Sequence, residues 1–304
     1  MNADKAIQIR AIHKTYGPVK ALENITFDVA PGELFGLIGP DGAGKTSLIR
    51  ILASLLLADE GEAAIYEWDI VRDYRQIRKH IGYMPGRFSL YQDLSVEENL
   101  HFFATLFGTS IEENYDLVKD IYRQLEPFKS RRAGKLSGGM KQKLALCCAL
   151  IHRPRVLLLD EPTTGVDPVS RKEFWEMLNQ IRREGISILV STPYMDEASL
   201  CDRIALIQKG KILGIDTPNG LTSRYERPLW AVRASDTYRL IGDLRTFSNT
   251  HTAYPFGDSV HLGLKEATDQ AVLYQYLLEK GHESVQIEAI RPDVEDCFME
   301  WMGG

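Results

Sequence analysis

The sequence predicts an α/β protein built on a parallel sheet and followed by a small α+β domain. Three observations lead there. A short apolar run, Leu34–Ile38, meets a glycine-rich turn and then an apolar stripe at helical spacing, the order strand, turn, helix. A second apolar run, Val156–Leu159, ends in the adjacent acids Asp160 and Glu161, as a buried strand does when it delivers charge to one place. Beyond Arg227-Pro228 the pattern starts afresh in the order βαββαβ, which is that of a small ferredoxin-like domain.

With 304 residues the chain has room for about two domains. Its 44% hydrophobic and 26% charged content is ordinary for a soluble globular protein. A net charge of −6 favours neither nucleic acid nor an acidic membrane surface as a partner. The longest apolar stretches, Ile51–Ala58 and Leu144–Ile151, fall far short of a membrane span. Residues Met1–Lys5 lead into no signal-peptide core. Four cysteines without C-x-x-C spacing read as free, buried thiols of a reducing compartment. The expected location is the cytoplasm, with attachment to a membrane only through a partner.

In chain order, residues 5–30 alternate apolar and polar (Ile7, Ile9, Ala11, then Leu22, Ile25, Phe27, Val29) and predict a pair of strands. Between them Tyr16 stands just ahead of the glycine turn, where its ring could stack on a flat base. After the turn, Leu48, Ile49, Ile51, Leu52, Leu55 and Leu56 share one helical face. Residues 60–84 read as strand and helix, closing on Ile81–Pro85. From Leu94 to Ile151 the pattern is helical, a helical insertion in the parallel core, before strands return at 156–159, 186–191 and 204–207. A hairpin at 208–212 and a turn at 216–220 close the first domain. The expected division is 1–225, with helical residues at about 87–151, and 226–304. In the second part no catalytic constellation is legible, and His251, His261 and His282 read as packing or surface residues.

Three motifs carry chemistry. Gly39-Pro40-Asp41-Gly42-Ala43-Gly44-Lys45-Thr46, extended by Ser47, fits G-x-x-x-x-G-K-[ST], a loop whose backbone N–H groups and helix dipole converge on phosphates. There Lys45 would pair with the β- and γ-phosphates and Thr46 would ligate Mg²⁺. Asp160 would hold the same Mg²⁺, directly or through water, and Glu161 would accept a proton from a water attacking the γ-phosphate. Ser137-Gly138-Gly139-Met140 opens a further helix with a capping hydroxyl and bare N–H groups, a second phosphate-binding surface.

With these landmarks in this order, the chain resembles the ATP-binding subunits of ABC transporters, and nearly every landmark from Ile7 to Leu221 is in family order. The resemblance implies a P-loop NTPase of the ABC ATPase type: a RecA-like core with antiparallel β and helical subdomains. It makes Tyr16 the adenine-stacking residue, Gly39–Thr46 Walker A, and Leu136–Met140 the signature motif. Asp160-Glu161 becomes Walker B with the catalytic glutamate, and Gly165-Val166-Asp167 the D-loop. It implies ATP and Mg²⁺ as ligands and a second ABC ATP-binding subunit, identical or different, whose signature completes the site. Transmembrane permease subunits are the expected partners, which places the chain peripherally on the inner face of the cell membrane. The motif Leu136–Leu144, the phosphate loop with Asp41, the run Ser191–Ala198 and the tail Pro292–Phe298 are similar to exporter ATPases for drugs and other small molecules, some of which also use a periplasmic adaptor. Alternatives of another class are a soluble ABC protein of translation or DNA repair, or a regulatory ATP-binding scaffold; neither a second cassette, a coiled-coil insertion nor a basic face favours the former.

Two positions depart from the family pattern. Residue 86 is Gly where the Q-loop glutamine is expected, and residue 193 is Pro where the switch histidine is expected. Neither can offer a side-chain hydrogen bond to Mg²⁺, the attacking water or the γ-phosphate. Each such group around a transition state is worth about 10²–10³ in rate. Binding of ATP is therefore expected to survive better than its cleavage, as in the degenerate half of a heterodimeric pair.

Overall fold

The computed structural model describes residues 4–302, so the expectation about Met1–Ala3 lies outside the described residues. The chain divides into two units at Thr217/Pro218.

The first unit is built on two sheets. One is antiparallel and runs in the order Val19–Val29, Ile7–Tyr16, Glu60–Ile65, Trp68–Asp69. The other has six strands in the order Lys211–Asp216, Arg203–Gln208, Leu34–Ile38, Ser187–Thr192, Val156–Asp160, Ile81–Met84. From Arg203–Gln208 onward the neighbours are parallel, and Lys211–Asp216 folds back as an antiparallel edge. The strands Leu34–Ile38, Val156–Asp160 and Ser187–Thr192 are buried at every residue, as a parallel sheet covered on both faces requires. The helix Lys45–Leu52 buries Leu48, Ile49, Ile51 and Leu52 in the core that the two sheets share. Phe27 of one sheet stacks on Phe35 of the other at 5.0 Å between ring centroids.

Two expectations for this region need correction. Ala11 does not continue the inward alternation of Ile7 and Ile9. It takes φ 48 at a break in the strand register and is exposed, so that Ile12 enters the core in its place. Nor does the apolar helical face reach Leu55, because the helix ends at Leu52 and Ser54 turns away at φ 56. Leu55 is left 55% exposed.

The helical segment consists of Val96–Leu106, Tyr115–Leu125 and Gly138–Leu150. Ser95 and Glu98 start the first of these by a reciprocal cap, each side chain taking the other's backbone N–H. Buried Asn99 donates to the Tyr91 and Ser95 carbonyls and accepts from Tyr91 N–H, which pins the preceding loop.

In the second unit the strands Leu229–Arg233, Thr250–Phe256, Ser259–Leu264 and Gln286–Ala289 alternate with the helices Thr237–Thr246 and Gln270–Glu279, and Val294–Met302 ends the unit. The sheet order is Thr250–Phe256, Ser259–Leu264, Leu229–Arg233, Gln286–Ala289, with every neighbouring pair antiparallel. Leu240, Leu244, Leu273 and Leu277 cover one face of it in a separate hydrophobic core. The final helix covers other residues. Asp296 accepts hydrogen bonds from Tyr254 and from His261 Nδ1, the latter at 2.7 Å. The short helix Pro218–Thr222 belongs here too: Leu221 is fully buried, and its carbonyl lies 3.6 Å from Cys297 Sγ. For that reason the division falls ahead of the Tyr225/Glu226 line drawn on the sequence.

Candidate functional site

The glycine loop leaves the carboxyl end of Leu34–Ile38 and enters the helix that starts at Lys45. Gly42 (φ 75) and Gly44 (φ 107) adopt backbone conformations that L side chains resist, and a Cβ on Gly44 would run into the Ala21 carbonyl. Gly39 has no such φ, but a Cβ there would collide with the Ile207 carbonyl. Gly44 supplies no side-chain cap, so the first-turn N–H groups of the helix stay available to an anion.

Lys45 is buried, at 2% exposure, inside this loop. Its Nζ donates to the Gly39 carbonyl at 2.7 Å and the Pro40 carbonyl at 2.9 Å, and lies 3.0 Å from Glu161 Oε1. Thus the loop's cation and the expected catalytic carboxylate are already in contact. Thr46 Oγ1 donates to Asp160 Oδ1 at 3.0 Å, bringing together a hydroxyl and a carboxylate oxygen. Hard oxygens of this kind fit Mg²⁺, which is usually held by one or two protein groups plus phosphate and water. Burial pushes the Asp160 carboxyl above its ordinary pKa; hydrogen bonds from Ser191 and Thr46 partly offset this, and neighbouring Glu161 adds to it.

Between the loop strand and the Asp160 strand runs Ser187–Thr192, whose Ser191 stands opposite both Leu37 and Asp160. Ser191 Oγ donates to Asp160 Oδ1 at 3.0 Å and accepts from Glu161 N–H at 3.1 Å. The Ser191 carbonyl accepts from the same Glu161 N–H, which holds Glu161 at φ 50. Ser191 was not singled out as a site residue from the sequence. Its signal is a pair of hydroxyl residues closing an otherwise apolar strand.

Of the remaining expected residues, Tyr16 ends its strand 47% exposed, with its hydroxyl 3.3 Å from Ser47 Oγ. Asp41 is exposed at the loop tip, and Ala43 is buried. Ser137, Gly138, Gly139, Met140 and Asp167 form a second cluster. Ser137 caps its helix through Met140 N–H at 3.3 Å, and Asp167 caps Pro168–Arg183 through Ser170 N–H at 3.0 Å. Gly139 lies so close to Ser170 that a Cβ would sit 2.8 Å from the serine's own Cβ.

The two departing positions are also located. A Cβ on Gly86 would lie 3.0 Å from the Asp160 carbonyl and 3.7 Å from its Oδ2, so residue 86 borders the Thr46–Asp160 pair. Pro193 directly follows Thr192, whose hydroxyl is committed to buried Glu197 and to Tyr194 N–H. Glu197 in turn accepts from Thr163 at 3.2 Å and from Arg171 at 3.1 Å. The backbone around Pro193 is therefore fixed by a network to which residue 193 contributes nothing.

A glycine loop, an acid-ended strand and a hydroxyl strand, converging at the carboxyl end of a parallel sheet, define a phosphate-loop nucleotide-binding protein. The pattern of the ABC transporter family matches residues 22–164. The probable multidrug ABC transporter ATP-binding protein YbhF of Escherichia coli is 36% identical over 308 aligned positions, covering 99% of this chain and 53% of that protein. The chain therefore spans about half of YbhF's length. The Nod factor export ATP-binding protein I of Paraburkholderia xenovorans is 38% identical over 221 residues, 72% of this chain and 73% of that one. The doxorubicin resistance ATP-binding protein DrrA of Mycobacterium tuberculosis is 38% identical over 228 residues, 73% of this chain and 69% of that one. Among solved structures, an ATP-binding subunit of an ABC transporter matches with TM-score 0.66 and 28% identity, over 72% of this chain and 93% of that one. A dimeric bacterial ABC transporter cassette matches with TM-score 0.63 and 25% identity, over 69% and 98%. The chain belongs to the family of ABC transporter ATP-binding proteins.

Proposed function

We propose that the chain is the ATP-binding and ATP-hydrolysing subunit of a membrane exporter, and that its own nucleotide site cleaves ATP slowly. In this reading Tyr16 takes the adenine, Gly39–Ser47 wrap the phosphates, and Thr46 and Asp160 hold Mg²⁺. Glu161 takes the proton of the attacking water. Ser137–Met140 and Asp167 are presented to nucleotide held by a second, different cassette. Transmembrane permeases are the partners on the helical segment, and the second unit is a ferredoxin-like accessory domain. The export assignment rests on relatives named for multidrug transport, Nod factor export and doxorubicin resistance. Their shared character favours transport over a role in translation or DNA repair.

The observation that carries the slow-cleavage reading is the position of Gly86. It borders Asp160 closely enough for a glutamine to reach the metal end of the site, yet has no side chain. Position 193 repeats the loss at the end of the neighbouring strand. Missing two polar groups, each worth about 10²–10³ in rate, separates binding from cleavage.

Two measurements test this. The purified chain should bind ATP with Mg²⁺ but turn it over slowly alone, and faster when joined by its partner cassette. Brisk turnover by the single chain, abolished by Glu161→Gln, sinks the reading. Conversely, the double variant Gly86→Gln with Pro193→His should raise single-site turnover by at least about 10²-fold with little change in nucleotide affinity.

A further inference from the structure

Tyr16 is a half-exposed ring at the end of a strand, and a base stacks well on such a ring only when the ring is held ready for it. The strand ladders do little of that holding. Pairing of Ile7–Tyr16 with Val19–Val29 slips on both sides of Lys14, and its pairing with Glu60–Ile65 runs out at His13 and Glu60. The end that carries Tyr16 therefore runs on past one of its two neighbours.

Asp59 takes over where that ladder stops. It lies between the helix Lys45–Leu52, which leaves the glycine loop, and the strand Glu60–Ile65. Its N–H donates to the His13 carbonyl at 2.9 Å. Its Oδ1 accepts from Lys14 Nζ at 2.6 Å, and its Oδ2 accepts from Thr15 N–H and from Thr15 Oγ1, each at 2.7 Å. One residue thus grips His13, Lys14 and Thr15, directly ahead of Tyr16. Lys14 Nζ, so placed, lies over one face of the Tyr16 ring, 5.8 Å from its centre. At the far end of the ring the hydroxyl reaches Ser47 Oγ at 3.3 Å. The Lys14 and Thr15 donors hold the Asp59 carboxyl down at a pKa of about 2, so it stays ionised across the neutral range.

We propose that Asp59 is a positioning residue for the base end of the nucleotide site. By holding Lys14 and Thr15 it sets the Tyr16 ring, with Lys14 over one face and the purine on the other. The inference rests on the reading that Tyr16 takes the adenine. A ring that is in place for only a fraction of the time lowers the apparent affinity by that fraction. The phosphate end is built separately, on Gly39, Gly44 and Lys45, so loss of Asp59 weakens the grip on the base and spares the grip on the phosphates.

The test is calorimetric titration of the full chain with ATP and with tripolyphosphate, which offers the phosphates without the base, both in the presence of Mg²⁺. Tyr16→Ala should weaken ATP about tenfold and leave tripolyphosphate unchanged. Asp59→Ala should weaken ATP by at least about threefold, again with tripolyphosphate unchanged. Asp59→Asn, which keeps an acceptor for Thr15, should recover part of that loss. Added to Tyr16→Ala, Asp59→Ala should cost nothing more, because it acts through the ring already removed. Equal weakening of ATP and tripolyphosphate by Asp59→Ala, no weakening of either, or full additivity with Tyr16→Ala overturns the inference and leaves Tyr16 standing as the base platform. ATP affinity unchanged by Tyr16→Ala overturns the adenine reading, and this inference with it.

Discussion

Ser191 touches more of the candidate site than any single residue of the glycine loop does outside its own loop. It donates to Asp160, accepts from Glu161 N–H, and occupies the strand between them and the loop. Ser191→Ala would leave a buried carboxylate oxygen short of one donor, at a cost of about 1–3 kcal/mol. Urea denaturation of the variant should show the first unit destabilised by that amount, and a change within error would mean that Asp160 finds another donor. The meeting of Lys45 with Glu161 and of Thr46 with Asp160 was legible in the sequence, because motif spacing sets both pairs at one end of the sheet. Ser191 was not, because nothing in a linear pattern says that the strand at 187–192 slots between the strand just before it, Val156–Asp160, and the distant Leu34–Ile38. The same holds for Arg171 and Glu197, which are far apart in sequence and meet only through the fold.

Among the elements, the loop–helix unit and the final helix show what local pattern can and cannot foretell. Gly44 is required twice over, by its φ of 107 and by the Ala21 carbonyl where a Cβ would go. Gly44→Ala should therefore lose nucleotide binding and destabilise the fold by about 1–3 kcal/mol, measured by titration with a fluorescent ATP analogue and by thermal melting. The apolar stripe after it was read as longer than it is, since a left-handed Ser54 cap leaves no mark in hydrophobic spacing. In the tail, Pro292–Phe298 was read from the sequence as a resemblance to exporter ATPases, with no role for its acids. Asp293 and Asp296 cap the final helix reciprocally, and Asp296 also anchors it to Tyr254 and His261. His261, read as a packing or surface histidine, is buried and serves as that anchor.

Burial works to raise the Asp296 carboxyl, but the hydrogen bonds from His261 and Tyr254 outweigh it, and its pKa lies below the ordinary value. A depressed folded-state value means that the stability Asp296 confers is fully present above the ordinary aspartate pKa of about 3.9. It is lost as pH falls through the depressed value. Asp293, pushed up by burial, works in the opposite sense. Asp296→Asn should accordingly flatten the acid limb of the second unit's stability below about pH 4, followed by circular dichroism across that range.

Across the whole molecule, a hydrophobic core in each unit and a division at Thr217/Pro218 imply two cooperative units. Calorimetry should resolve two transitions. Saturating Mg²⁺ and ADP at about 100 times Kd should stabilise only the first, by about 2.7 kcal/mol, and Asp296→Asn should lower only the second. A single transition moved equally by both would show that the units unfold together. The division into two parts was legible because a Pro-bearing turn interrupts one pattern and another begins. Its placement was not, because Leu221 is assigned by its burial beside Cys297, which no local signal announces.

The network around Pro193 has one more consequence. Thr192, Glu197, Thr163 and Arg171 hold that backbone without help from residue 193, and at Gly86 the space beside Asp160 asks the chain to give by only a few tenths of an ångström. The backbone at both departing positions is thus held by other residues. On the proposed reading the protein lies two substitutions from the expected side chains, and a Cβ at residue 86 would meet the Asp160 backbone carbonyl at 3.0 Å. The proposed slow cleavage would then be a setting that two codons could reverse.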